Sequence, residues 1–276
     1  MSALPPAHEL LRDAKLSPSS HLAKVLHAEL QRLERMVLTP HPVQRHPTGT
    51  FEHALRQAHA QRGAAIIAEY KQGSPSLGPF AQGTPLDAQL TAYRQGGAAC
   101  VSVLAEPAFF LGSTEDVQAA GAFGLPRLYK GFVISPMHLD EAAACGAEAV
   151  LLIARVLKGH TAAFAEVARS KGLEPLVELH DLTEVPFAQA ARAALVGINA
   201  RDLATFTLGA PGAGPLREAF PEAVLIRESG LATPEDAARA FRDGFDAVLI
   251  GEALMRSPEP EAFLRRIFAA LHQAAS

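Results

Sequence analysis

Between Ile66 and Leu271 the sequence repeats one unit eight times, a short continuous apolar run followed by a helix signal. The runs are residues 66–71, 99–104, 127–130, 149–154, 176–179, 195–199, 224–228 and 247–250. Unbroken rather than alternating hydrophobicity means that both faces are covered, which predicts parallel strands with helices packed outside them. The helices between are punctuated. Thr84-Pro85, Ser135-Pro136 and Thr233-Pro234 open them, and Gly96-Gly97, Gly146, Gly172 and Gly244 close them. Asp181-x-x-Glu184 has the spacing of a capping box. Eight such units with right-handed crossovers close most simply into a (β/α)8 barrel. A doubly wound sheet is the alternative, disfavoured because no Gly-x-Gly-x-x-Gly follows the first run.

The repeat has a preface. Residues up to Ser20 are broken by Pro and Ser and are expected to be loosely held. From Leu22 to Val37 the residues Leu22, Val25, Leu26, Leu30, Leu33 and Met36 fall at helical spacing, so this helix needs cover for one face. Residues 51–60 read as a second short helix. We therefore expect residues 1–62 to be a helical extension and residues 63–276 one barrel domain. A net charge of −4 argues against a nucleic-acid partner. No apolar run reaches the roughly 20 residues that span a bilayer, and the first residues lack the basic-then-apolar layout of a secretory leader. Cys100 and Cys145 make neither a disulfide framework nor a zinc-ligand spacing, and His41, His46 and His53 match no metal motif. The expectation is a reduced, cytoplasmic protein without a metal.

In a barrel of this kind the chemistry gathers at the C-terminal ends of the strands. Those ends carry Glu69 and Lys71, Lys130, Glu178, Asn199 with Arg201, Glu228 with Ser229, and Gly251 with Glu252. One polar strand end is more often a structural partner than a catalyst. Charged and polar groups at six ends, each flanked by Ile, Val and Leu, point to an acid–base site for an anionic substrate. After the last two strands, Ser229-Gly230 and Gly251 offer backbone that a phosphate can approach closely.

Together these stretches resemble the indole-3-glycerol phosphate synthase family. The resemblance rests on Ile67-Ala68-Glu69-Tyr70-Lys71-Gln72-Gly73-Ser74-Pro75-Ser76, Val101–Glu106, Tyr129-Lys130-Gly131-Phe132 and Leu176-Val177-Glu178-Leu179-His180-Asp181. It continues through Gly197-Ile198-Asn199-Ala200-Arg201-Asp202-Leu203, Glu228-Ser229-Gly230 and Ile250-Gly251-Glu252-Ala253-Leu254-Met255. It implies ring closure of 1-(2-carboxyphenylamino)-1-deoxyribulose 5-phosphate with loss of CO2 and water, without a cofactor. Lys130 matches the general acid, and Glu178 with Glu69 the groups for proton removal and dehydration. Lys71 matches a phosphate-holding residue that also assists as an acid, and Asn199 positions sugar hydroxyls. Ser74 and Arg201 are similar to residues that meet the anthranilate part, while Ser229, Gly230, Gly251 and Glu252 match phosphate positions, with Glu228 beside them. The family also places the N-terminal extension on the barrel mouth.

This chain departs from the family pattern at three positions. Tyr129 and Gly131 flank the lysine where the family has a basic residue and an Asp, and Leu77 replaces a basic residue. Without the Asp, Lys130 is left to a looser hold or a different partner. Two other readings stay open on the residues, a Schiff-base sugar-phosphate aldolase and a non-catalytic phosphate-binding barrel. The expected partner is a small phosphorylated molecule, with the chain a monomer or weak homo-oligomer.

Overall fold

The computed structural model describes residues 4–18, 20–36, 49–75, 77–199 and 212–273. Three helices come first, α1 (Ala7–Ala14), α2 (His21–Arg35) and α3 (Thr50–Arg62). The repeat then runs β1 (Ala65–Tyr70), α4 (Leu86–Gly96), β2 (Cys100–Leu104), α5 (Thr114–Ala119), β3 (Arg127–Lys130) and α6 (Pro136–Ala144). It continues as β4 (Ala149–Ile153), α7 (Ala154–Leu157), α8 (Thr161–Ser170), β5 (Glu174–Leu179), α9 (Val185–Ala190), β6 (Leu195–Asn199) and α10 (Ala213–Ala219). It ends as β7 (Val224–Glu228), α11 (Pro234–Arg242), β8 (Ala247–Ile250), α12 (Glu252–Arg256) and α13 (Pro260–Gln273). The eight strands form one closed parallel barrel in chain order, with β1 bonded to both β2 and β8. This is the (β/α)8 barrel that the unbroken apolar runs predict. Among the described residues no helix is long and apolar enough to cross a membrane.

The strands form where they do because their side chains have apolar cover on both faces, and nearly every strand residue is buried. The punctuation works as local chemistry requires. Ser113 and Ser135 accept backbone N–H bonds at the starts of α5 and α6, and Thr233 with Asp236 completes a capping box on α11.

Two expectations need correction. Residues 7–14, expected to be loosely held, form α1 with Leu10 and Ala14 buried; Pro6 stands at its N-cap rather than breaking it. The Asp181–Glu184 capping box forms only in half. Asp181 Oδ1 accepts the Thr183 N–H at 2.9 Å. Glu184 is drawn instead to Arg155 Nε at 2.8 Å and to the His180 N–H at 2.9 Å.

The extension reaches both ends of the barrel. Leu22 and Val25 of α2 line a cavity at the C-terminal mouth. At the opposite end α3 is anchored by Glu174, the first residue of β5, whose carboxylate accepts the Phe51 and Glu52 N–H groups, each at 2.8 Å. A carboxylate there meets the unpaired donors and the positive end of the helix dipole. Phe51 and Leu55 are fully buried against the barrel.

The floor also holds a buried ion pair, Arg127 Nη2 to Glu148 Oε1 at 3.0 Å, with both side chains almost wholly enclosed. Glu148 Oε2 further accepts the Arg127 backbone N–H at 2.6 Å. Removing one partner of such a pair strands the other charge. We expect Glu148→Ala to cost roughly 3–5 kcal/mol of stability while kcat per folded molecule is unchanged. Denaturant unfolding paired with active-site titration checks both, and a near-wild-type midpoint would show that the pair contributes little.

Candidate active site

The interior layer nearest the mouth is built by alternate strands. Glu69 of β1, Lys130 of β3, Glu178 of β5 and Glu228 of β7 all turn into one cavity of about 620 Å³. Filling a barrel layer from every second strand is how this fold packs its interior, usually with branched aliphatics. Here the layer holds three carboxyls and an ammonium, and the three glutamates are buried.

Lys130 stands at the centre. Its Nζ lies 2.5 Å from Glu228 Oε2 and 3.6 Å from Glu178 Oε2. The partner it gains in place of the missing Asp is therefore Glu228, from across the barrel. Lys71 Nζ bonds Glu69 Oε1 at 2.9 Å, as their placement two residues apart on one face requires. Ser102 Oγ donates to Glu69 Oε2 at 3.2 Å, and the Tyr93 hydroxyl donates to the Glu69 carbonyl at 2.9 Å. Asn199 Nδ2 donates to Glu178 Oε2 at 3.3 Å.

The charges tune one another. Burial works against the Lys130 ammonium, but Glu228, Glu178 and Glu69 override it and raise its pKa. Burial likewise opposes the Glu69 charge, yet Lys71 and Lys130 hold its carboxyl below the ordinary value. For Glu228 burial prevails. It pushes the carboxyl up to about 8 against the pull of Lys130, with help from Glu178. Glu228 Oε1 is buried and receives no hydrogen bond, so a proton is accommodated there without breaking a contact.

Two glycines make this crowding possible. A Cβ at Gly197, which lies beside Glu178 in the β5–β6 register, would collide with Glu228 Oε1. A Cβ at Gly251 would collide with Glu69 Oε1 and come within 3.0 Å of Lys71 Nζ. At the corner after β7 Ser229 takes φ 62° and Gly230 φ 73°. A left-handed serine costs roughly 1–2 kcal/mol, and strain of this kind gathers at functional sites.

Of the residues singled out in the sequence, Ser74, Ser229, Gly230, Gly251 and Glu252 also line this cavity, as do Lys71 and Asn199. Arg201 lies outside the described residues. Leu77 is exposed on the β1 loop. Sequence reasoning missed the aromatic wall, Phe110 and Phe132, whose ring centres are 5.8 Å apart. Its signal was present in the Phe109-Phe110 doublet, which Glu106 orders by accepting the Ala108, Phe109 and Phe110 N–H groups at 2.8, 2.8 and 3.0 Å.

The chain is also similar to known proteins. A solved thiamine phosphate pyrophosphorylase from Pyrococcus furiosus superposes with a TM-score of 0.54 over 77% of this chain and 96% of its own, at 14% identity, a likeness of fold alone. An indole-3-glycerol phosphate synthase from Desulfosudis oleivorans is 42% identical over 221 residues, 79% of this chain and 84% of its own length. Another, from Paracidovorax citrulli, is 42% identical over 230 residues, 80% and 86% of the two chains. The sequence profile described as indole-3-glycerol phosphate synthase matches residues 21–267. With that match over most of its length, the chain belongs to the indole-3-glycerol phosphate synthase family.

Proposed function

We propose that this chain closes the indole ring of indole-3-glycerol phosphate from 1-(2-carboxyphenylamino)-1-deoxyribulose 5-phosphate. The observation that carries the reading is Lys130 Nζ held between Glu228 and Glu178 inside a cavity with an aromatic wall on one side. The chemistry needs an acid at the ribulose carbonyl while the ring carbon bearing the carboxylate attacks it. Lys130, charged and enclosed, supplies that proton as the carbon–carbon bond forms. Loss of CO2 then restores the benzene ring. The new hydroxyl leaves as water with a second proton, and the adjacent carbon gives up its hydrogen to complete the pyrrole. Glu178 serves this second stage, with Glu69 and Lys71 as the neighbouring acid–base pair. Asn199 orients Glu178 and meets the sugar, and Ser74 faces the anthranilate part. The phosphate rests on the backbone of Ser229-Gly230 and Gly251, with Lys71 and Glu252 beside it.

The aldolase reading asks for a lysine that loses its proton readily. Three carboxyls around Lys130 act the other way. The acid role fits this environment and the nucleophile role does not.

We expect Lys130→Ala and Glu178→Gln each to lower kcat by roughly 10²-fold or more, with melting temperatures showing intact folds. Indole fluorescence follows turnover, and near-normal turnover by either variant would remove that residue from the mechanism. Borohydride treatment during turnover should trap no substrate on the protein; a trapped adduct on Lys130 would favour the aldolase.

The Glu228 carboxyl gives a pH signature. Below about 8 it holds a proton, and above that value it ionises and adds negative charge beside Lys130. A more tightly held lysine is a weaker acid. The expectation is a kcat that falls on the alkaline side with its midpoint near that pH, and a limb displaced upward in Glu228→Gln, which cannot ionise. An alkaline limb unmoved by this substitution would assign it to another group.

A further inference from the structure

Adjacent residues of β3 point to opposite sides of the sheet, so while Lys130 turns into the mouth, Tyr129 turns out toward the helices. Tyr129 is fully buried, and its hydroxyl donates to Glu141 Oε2 of α6 at 2.5 Å. The same carboxylate receives a two-pronged bond from α2, Arg32 Nη1 to Oε1 at 2.7 Å and Nη2 to Oε2 at 3.0 Å. One turn along each helix the contact repeats. Arg32 Nε also bonds Glu29 Oε2 at 2.9 Å, and that oxygen accepts from His138 Nε2 of α6 at 3.0 Å. The Ile134 N–H donates to His138 Nδ1 at 3.3 Å, which leaves Nε2 to carry the hydrogen toward Glu29.

Two i,i+3 pairs therefore face each other, Glu29 with Arg32 and His138 with Glu141, and all but Arg32 and Glu141 are sealed from solvent. Burial opposes the Arg32 charge, yet Glu141 raises its pKa. Burial, then Glu141, raises that of the Tyr129 phenol, which stays a donor. The position of Gly131 belongs to the same arrangement. A Cβ there would come within 2.6 Å of the Tyr129 ring, so the ring lies where only glycine leaves room.

On α2 the residues Leu22, Val25, Glu29 and Arg32 follow one stripe. Its first part lines the cavity, and its second part is bolted to α6. We propose that Tyr129, Glu141 and Arg32 form a latch that seats α2 over the barrel mouth, making Arg32 and Tyr129 positioning residues for substrate binding. The latch joins the strand that carries Lys130 to the helix that roofs the cavity. It rests on the cavity being the substrate site, as proposed above.

The test compares Tyr129→Phe, Arg32→Lys and Arg32→Ala in steady-state turnover, with hydrogen exchange of α2 measured in parallel. Tyr129→Phe removes one oxygen and keeps the ring packed, so the variant should fold. Loss of a charge-assisted hydrogen bond predicts a KM raised about tenfold in Arg32→Ala and several-fold in Tyr129→Phe, with kcat within about twofold of wild type. Arg32→Lys keeps the charge without the fork and should recover part of the loss. Amides of α2 should exchange faster in Arg32→Ala. Because both residues act through Glu141, the double variant should cost less than the sum of the two. An unchanged KM in both single variants, with only a lower melting temperature, would overturn the latch and leave a purely structural contact. Wild-type turnover in the same assay is the control for the reaction, so a flat KM counts against the latch alone.

Discussion

Three buried carboxyls share one barrel layer with a single ammonium, and the architecture around them follows from that crowding. Charges so enclosed are unfavourable unless each finds a partner. Lys130 answers two of them, and Lys71 with Ser102 answers Glu69. The remaining strain goes into a proton, which is why the Glu228 carboxyl titrates so far above an ordinary glutamate. A layer of Val, Ile and Leu would be more stable here. Its replacement by ionisable groups, on strands whose other positions are mostly Ala, Val, Ile and Leu, points to a functional rather than a stabilising role for the layer.

The floor shows the same residue types in another role. Arg127, Glu148 and Glu174 are also charged groups at strand ends, but at the N-terminal ends, and their bonds run to backbone and to one another. Glu174 ties α3 to the barrel, and Arg127 with Glu148 ties the start of β3 to that of β4. None of the three lines the cavity at the mouth. Buried charge thus gathers at both ends of one set of strands, around a cavity at one end and in ties to backbone at the other.

Much of this was legible in the sequence. β3, β6, β7 and β8 have the bounds that their apolar runs predict, because each run stops at a clear change in composition. β5 starts two residues earlier than its run, since Glu174 and Pro175 do not look like strand. Glu174 is polar there because it caps a helix from 120 or so residues upstream, a demand that no local pattern expresses. The half-formed capping box at Asp181 has the same origin: the motif was right, and Arg155 drew the glutamate away. Glu69, Lys130, Glu178, Asn199 and Glu228 stood out because each is a polar interruption at a strand end. Phe110, Phe132 and the α2–α6 contacts were not, because apolar or charged residues on helices and loops look the same whether they face a cavity, a neighbour or water.

The charge balance of the mouth bears on how an anionic substrate is held. Glu69, Lys71, Lys130, Glu178 and Glu228 line the cavity together with Glu252 and Arg256 of α12, which pair with each other, Arg256 Nη1 to Glu252 Oε1 at 3.4 Å. Lys71, Lys130 and Arg256 each already have a carboxyl partner there, so on the reading proposed above a phosphate draws on backbone N–H groups as well. On that reading the left-handed turn at Ser229-Gly230 and the backbone at Gly251, which line the same cavity, would supply them. A backbone anion site has a further merit here. Backbone dipoles add no further titratable group beside the pair of Glu228 and Lys130. On that reading the crowded layer leaves most of the anion binding to the backbone, with Lys71 the side chain that touches both tasks.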